Sequence, residues 1–244
     1  MFYSPRTTQK ARPQRKAQGG FTIVELSVAV AIAGVLLVSA IALVQVVLRQ
    51  SRANDLVSSI PRTLTQIDKM YARVANFAGL TTQVAIGFGA FDGAFDITGP
   101  AGARVASHRF GYTTLAQAAN NFRNVAAVGL PAGVPPDASA YSIIYAGIPR
   151  GACADIVSSA AASGVLGIIV APEATVGTPA FTEANATLLS MNMFDSAAGA
   201  ANPPAGVRVK GTTNNSALDV AAMSGGTACG TANDTVTIAM VNWK

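Results

Sequence analysis

A single acidic side chain interrupts the most apolar part of this sequence. Glu25 follows Phe-Thr-Ile-Val and precedes Leu26–Leu48, a stretch of 23 residues without a charge. A carboxylate deep in a bilayer costs about 2–3 kcal/mol, so an acid here is a candidate functional group that needs a cation. Leu26–Leu48 supplies none. In the alternative reading, Glu25 lies at the membrane interface and reaches water, which leaves the apolar residues on both sides of it unexplained.

The peptide bond between Gly20 and Phe21 offers the missing cation. Cleavage there creates an α-amino group on Phe21, with a reference pKa of about 8, which is positively charged at neutral pH. The Glu25 carboxylate of one subunit and the amine of another can then pair in an apolar bundle, where the attraction is much stronger than in water. Gly19 and Gly20 allow an extended backbone to enter a protease cleft.

The charge of the chain is concentrated before this bond. Of 17 basic residues, five lie in residues 1–20, which contain no acid, and the other twelve balance the twelve acidic residues. The five are Arg6, Lys10, Arg12, Arg15 and Lys16. A basic segment before an apolar run stays on the cytoplasmic side, so the chain beyond Leu48 is expected outside. Residues 1–20 have no apolar periodicity and are interpreted as a leader.

The apolar run is long enough to cross a membrane, since 23 helical residues span about 35 Å against a hydrocarbon core of about 30 Å. Beyond Arg49 the pattern becomes amphipathic and predicts one helix from Phe21 to about Asn76, with a bend at Pro61. Its apolar positions recur every three or four residues: Leu56, Ile60, Leu64, Ile67, Tyr71 and Val74.

The remainder, residues 79–244, is expected to form an α+β head with a mostly antiparallel sheet. Strands are predicted at Tyr141–Ala146, Val165–Val170, Val207–Lys210 and Thr235–Trp243, and helices at Thr113–Val128, Ala152–Ser163 and Thr182–Met193. Both cysteines, Cys153 and Cys229, lie in this exported part. A disulfide is the simplest reading in an oxidising compartment, and two buried free thiols are the alternative.

A basic leader, Gly20, then Phe-Thr-Ile-Val-Glu-Leu and a long apolar helix closely resemble the type IV pilin, or class III, signal. The specific resemblance covers about 30 residues. It implies that a membrane-embedded prepilin peptidase cuts after Gly20 and methylates the amine of Phe21. It also implies that Glu25 is the acid used in assembly.

The resemblance further implies the type IV pilin fold and an organisation in three parts. These are a removed leader (1–20), a long helix (21–78, with 21–48 in the membrane or filament core and 49–78 amphipathic) and a globular head (79–244). The cysteine pair then bounds a surface region at 153–229. Closing a loop of this size stabilises a domain by about 4 kcal/mol in the chain-entropy model.

The implied function is a structural subunit of a pilus for adhesion, motility or conjugation. The implied partners are further copies of the chain, the peptidase, and an inner-membrane assembly platform with its ATPase. The precursor is expected in the inner membrane with its head in the periplasm, and the assembled protein in an extracellular pilus. Leader length and head size favour the type IVb branch, whereas Phe21 is more usual in type IVa pilins and pseudopilins. A type II secretion pseudopilin and a minor or DNA-uptake pilin are the alternatives.

Other patterns carry little chemistry. The glycine-rich segment 87–93 lacks the dinucleotide fingerprint, and Asp92 and Asp96 lack the calcium-loop spacing. His108 is the sole histidine, and neither a zinc set nor a nucleophile motif is present. We therefore expect no enzyme activity, no cofactor and no metal. The neutral mature chain disfavours nucleic-acid binding, unless Arg104, Arg109 and Arg123 cluster in space.

Overall fold

A computed structural model describes residues 20–118, 139–185, 206–211 and 217–243. In chain order the elements are α1 Ile23–Met70, α2 Thr82–Gly87, β1 Asp96–Thr98, β2 Val105–Ser107, β3 Thr113–Ala118, β4 Ala140–Pro149, α3 Arg150–Ala162, β5 Gly167–Pro172, a 3-10 turn Glu183–Asn185, β6 Val207–Lys210, α4 Val220–Ser224 and β7 Thr235–Trp243. The chain divides between Val46 and Val47 into two compact units, so α1 contributes to both.

The predicted long helix is confirmed as α1, although it is shorter than expected at its C-terminal end. It continues through Pro61 and ends at Met70, six residues before Asn76. The chain turns away because Tyr71 packs on Phe77, with ring centroids 5.4 Å apart, and Phe77 packs on Tyr141 at 4.6 Å. The bend predicted at Pro61 stays a prediction.

The amphipathic half of α1 buries the residues that its spacing selects. Leu56, Ile60, Leu64, Ile67 and Tyr71 are all buried in the main core of the second unit. The exception is Val74, which lies beyond the end of the helix and is half exposed. Its inclusion in the stripe was wrong because the helical hydrogen bonding reaches only Tyr71, whose N–H donates to the carbonyl of Ile67 at 3.2 Å, and Val74 no longer follows the 3.6-residue period.

In the described residues the head is built on an antiparallel sheet of seven strands, with the order β1-β2-β3-β4-β7-β5-β6. The four predicted strands are confirmed as β4, β5, β6 and β7, and the predicted helix at Ala152–Ser163 is confirmed as α3. The three strands β1, β2 and β3 were not predicted. A long N-terminal helix followed by an antiparallel sheet is an α+β, type IV pilin-like fold.

The helix predicted at Thr113–Val128 is wrong over its first six residues, which form β3. Thr114, Ala116 and Ala118 are buried alternately with half-exposed neighbours, and the whole strand pairs with β4. Residues 119–128 lie outside the described part of the chain. The helix predicted at Thr182–Met193 appears as the 3-10 turn at Glu183–Asn185, and residues 186–193 are likewise outside.

Apolar side chains cover both faces of the central strands. One face meets α1 and α3 through the main core, to which Tyr141, Ile143 and Tyr145 of β4 contribute. The other face carries a second cluster. Its buried members are Ile144, Ile169, Ala171, Phe181, Ala239 and Val241. Burial on both sides explains why the sequence of β4 is nearly continuously apolar and does not alternate between apolar and polar residues.

Candidate functional site

The candidate cleavage site lies just outside α1. Gly20, Phe21 and Thr22 are exposed and non-helical, and the Phe21 side chain is 81% exposed. The helix begins at Ile23, so the Gly20–Phe21 bond precedes it by two residues. A protease binds its substrate in an extended conformation, so a bond outside the helix can be reached without unwinding it.

Thr22 caps the start of the helix. Its side-chain oxygen Oγ1 accepts the backbone N–H of Glu25 at 3.2 Å, and its carbonyl accepts the N–H of Leu26 at 3.1 Å. Thr22 and Glu25 have the Thr-x-x-Glu spacing of a capping box. Of the two hydrogen bonds of this motif, the one from the Glu25 N–H to the Thr22 side chain is formed. Thr22 was not predicted to have a role, although this spacing is the sequence signal that identifies it.

The Glu25 side chain is exposed, and no salt bridge joins it to any residue that the structure describes. Its backbone N–H donates to the Thr22 side chain, whereas its carboxylate is available to a group outside the chain. The structure therefore places the acid in the first turn of α1, where the positive end of the helix dipole favours a negative charge.

The helix that follows presents apolar side chains in every direction. It is long and apolar enough to cross a membrane, and the residues of that apolar window are not buried. The hydroxyls of Ser27 and Ser39 donate to the carbonyls of Val24 and Val35, at 2.8 and 2.9 Å. Because these polar side chains are satisfied within the helix, it can be surrounded by lipid or by other apolar helices.

The head carries the predicted disulfide between Cys153 and Cys229, whose Cα atoms are 5.5 Å apart. Cys153 is buried in the first turns of α3. Cys229 lies in the turn after α4, where its N–H donates to the carbonyl of Met223 at 3.0 Å. The bridge spans 76 positions and ties the segment before β7 to α3. The alternative of two free thiols is thus excluded.

A buried carboxylate that the sequence analysis missed lies at the end of β5. Glu173 is only 2% exposed, and each of its carboxylate oxygens accepts two hydrogen bonds. Oε1 accepts the N–H of Gly147 at 2.6 Å and the hydroxyl of Thr237 at 2.7 Å. Oε2 accepts the N–H of Gly177 at 2.9 Å and the hydroxyl of Thr235 at 2.7 Å. Four donors compensate for its removal from water.

The two glycines in this network cannot carry side chains. Gly147 and Gly177 have φ of +65° and +75°, and a Cβ on either would lie within 2.3 Å of the ring of Tyr112. Gly147 lies where the register of β4 with β7 shifts, between Tyr145 and Ile148. This irregularity turns the Gly147 N–H towards Glu173. The carboxylate therefore stabilises the packing of three segments that are distant in sequence.

His108 is buried and has a partner on each ring nitrogen. Its Nε2 lies 2.6 Å from the carbonyl oxygen of Ala146, and its Nδ1 accepts the N–H of Phe110 at 3.3 Å. This arrangement fits the neutral ring protonated on Nε2. Burial lowers the pKa of His108 to about 4, so the ring stays neutral at ordinary pH. It is a structural histidine of the head.

The other candidate groups do not converge on a site. Asp96 faces Arg109, with 3.8 Å between Oδ1 and Nη1. Arg104 exchanges two backbone hydrogen bonds with the side chain of Gln83, at 2.6 and 3.0 Å. Arg123 lies outside the described residues, so the proposed arginine cluster is untested. Among the described residues, no three His, Cys, Asp or Glu side chains are grouped as metal ligands.

Comparison with known protein families identifies the N-terminal segment. Residues 15–41 match the family described as the prokaryotic N-terminal methylation motif. The matched range contains the Gly20–Phe21 bond, Glu25 and about the first two thirds of the apolar run. No curated protein matches the chain. The match supports a type IV pilin or pseudopilin, made as a membrane-anchored precursor and processed by prepilin peptidase.

Proposed function

We propose that the chain is a structural subunit of a type IV pilus, of the type IVb branch. It is synthesised with its leader in the cytoplasm and its head in the periplasm. The peptidase cuts after Gly20 and methylates Phe21, and the platform and ATPase then move the subunit into an extracellular filament. The filament core is formed by the N-terminal helices of many copies, and the protein has no catalytic activity of its own.

The single observation that carries this proposal is the register of the N-terminal segment. The scissile bond, the Thr22 cap, Glu25 and the apolar helix follow one another without a gap, and the methylation motif covers the first three and the helix up to Ile41. In this register the new amine lies two residues before α1 and the acid lies in its first turn. An apolar helix that carries one acid and one amine at its end is suited to pairing with copies of itself.

The N-terminus of the assembled protein tests the proposal. We expect filaments sheared from cells to contain a chain that begins at N-methylated Phe21, as read by mass spectrometry of the N-terminal peptide. Recovery of the intact Met1 start from filaments would contradict it. The chain with Gly20 replaced by a bulky residue, Gly20→Trp, serves as the control and should remain uncleaved in the membrane.

A pseudopilin of a type II secretion system is the second candidate, because Phe21 as first mature residue is more usual there. The two functions differ in where the processed protein accumulates. A pilus subunit is recovered in filaments outside the cell at its natural expression level, whereas a pseudopilin stays in the envelope and its deletion abolishes protein secretion. A DNA-uptake role is less favoured, since Arg109 faces Asp96 and the mature chain is neutral.

A further inference from the structure

Three arginines lie near the point where the apolar part of α1 ends. Arg49 follows Leu48 directly, Arg52 comes three residues later, and both are exposed. The Arg49 guanidinium lies against the first turn of α3, because a Cβ on Gly151 would be 3.4 Å from its Nη1. Arg150, the first residue of α3, is exposed beside it. We call Arg49, Arg52 and Arg150 the basic collar.

No salt bridge neutralises the collar within the part of the chain that the structure describes. The acids nearest to it along the chain are Asp55 on α1, Asp155 on α3 and Asp234, whose backbone carbonyl accepts the Arg150 N–H at 2.9 Å. None forms a salt bridge with the collar, since the one salt bridge in the described part of the chain joins Arg109 and Asp96. Within the described residues, the sole side-chain hydrogen bond of the collar is from Arg150 Nη1 to the carbonyl of Thr231, at 3.2 Å.

We propose that the basic collar binds the phosphate headgroups of anionic phospholipids in the outer leaflet of the membrane. The inference rests on the membrane-anchored precursor of the proposed function and adds the chemistry by which its head meets the bilayer. When Leu26–Leu48 fills the hydrocarbon core, the next residues of the same helix enter the headgroup layer. Guanidinium groups bind phosphate in a bidentate manner, which suits this position.

Distance along the helix separates the collar from the other arginines. At 1.5 Å per residue, Arg49 and Arg52 lie about 2 and 6 Å beyond Leu48, whereas Arg62 lies about 21 Å beyond it. The screening length at physiological salt is about 8 Å, so the first two experience the surface potential of the membrane and Arg62 does not. Each basic residue near an anionic surface strengthens binding by up to about fivefold.

Lipid selectivity of the full chain tests the collar. The chain is reconstituted in phosphatidylcholine vesicles with trace spin-labelled phosphatidylglycerol or phosphatidylcholine, and electron paramagnetic resonance measures the fraction of each lipid immobilised by protein. We expect a preference for phosphatidylglycerol that weakens with added NaCl. The double variant Arg49→Gln/Arg52→Gln should reduce the preference at least about fourfold, and it keeps the Arg150 bond to Thr231 intact.

The matched control removes more positive charge from elsewhere. The triple variant Arg62→Gln/Arg73→Gln/Arg104→Gln changes three exposed arginines and should keep the wild-type preference. The leader is identical in all chains, so its own basic residues contribute equally. If both variants lose the preference for phosphatidylglycerol equally, or if the double variant keeps it, the proposal that the collar binds lipid headgroups is wrong. A chain that immobilises neither lipid is not in the bilayer, which contradicts the membrane anchor of the proposed function instead.

Discussion

Removal of the Glu25 charge should block filament assembly while leaving processing intact. Glu25→Gln keeps the size of the side chain, and glutamine also serves at this position of a capping box. The described hydrogen bond at this residue, from its backbone N–H to Thr22 Oγ1 at 3.2 Å, does not involve the side chain. We therefore expect a normal helix start, normal cleavage after Gly20, and few filaments.

The expected size of the effect separates a charge pair from a helix-dipole contribution. Loss of one partner of a buried ion pair costs about 3–5 kcal/mol, because the other charge remains buried and unpaired. At about 1.4 kcal/mol per tenfold, assembly should weaken by about 10²- to 4 × 10³-fold. An acid near a helix N-terminus contributes only about 0.3–1 kcal/mol, or less than about tenfold. A loss of filament assembly by two orders of magnitude or more therefore identifies an ion pair between Glu25 and the amine of another subunit.

The assay is a filament count by electron microscopy beside an immunoblot for leader cleavage. Thr22→Val is the matched control, because it removes the cap, at a cost of about 0.5–2 kcal/mol, and leaves the Glu25 charge in place. It should assemble far better than Glu25→Gln. If Thr22→Val is equally defective, the helix start is what matters. If Glu25→Val gives normal filaments, the charge pair is refuted and the heads must set the register.

Three further predictions concern the head and are measured on the full chain in detergent through its single tryptophan. Cys153→Ser should lower the free energy of unfolding by about 4 kcal/mol in urea without affecting leader cleavage, and an unchanged midpoint would show that the bridge to Cys229 contributes nothing. Glu173→Gln should lower the free energy of unfolding by about 2–3 kcal/mol, because each carboxylate oxygen accepts a backbone N–H and the amide NH2 of glutamine cannot accept one. The control Asp155→Asn, at an exposed position, should leave the free energy of unfolding almost unchanged. Between pH 7 and 4, stability should fall by about 3 kcal/mol through His108, because the unfolded ring takes up a proton near pH 6.5 and the buried ring only near pH 4. His108→Asn should flatten that part of the pH profile, and an unchanged slope would assign it to other groups.

The long N-terminal helix of this protein was predictable because its information is local. The apolar run is contiguous, and a helix depends on residues three and four positions apart. The buried stripe of α1 was therefore correct from Leu56 to Tyr71 and failed at Val74, beyond the last helical turn. Strands β6 and β7 were also assigned with correct ends, since their β-branched residues lie between clear breaks.

Tertiary structure decided the features that depend on residues distant in sequence. The apolar spacing after Thr113 fits a helix, yet hydrogen bonding with β4, some thirty residues later, makes it a strand. Glu173 gave no signal in sequence, because its four donors come from positions between 147 and 237 and converge only when β4, β5 and β7 are paired. The basic collar likewise exists because Arg49 and Gly151, about a hundred positions apart, are brought together by folding of the head. Local periodicity reports which face of an element is apolar, whereas the partner of that face is set by long-range packing.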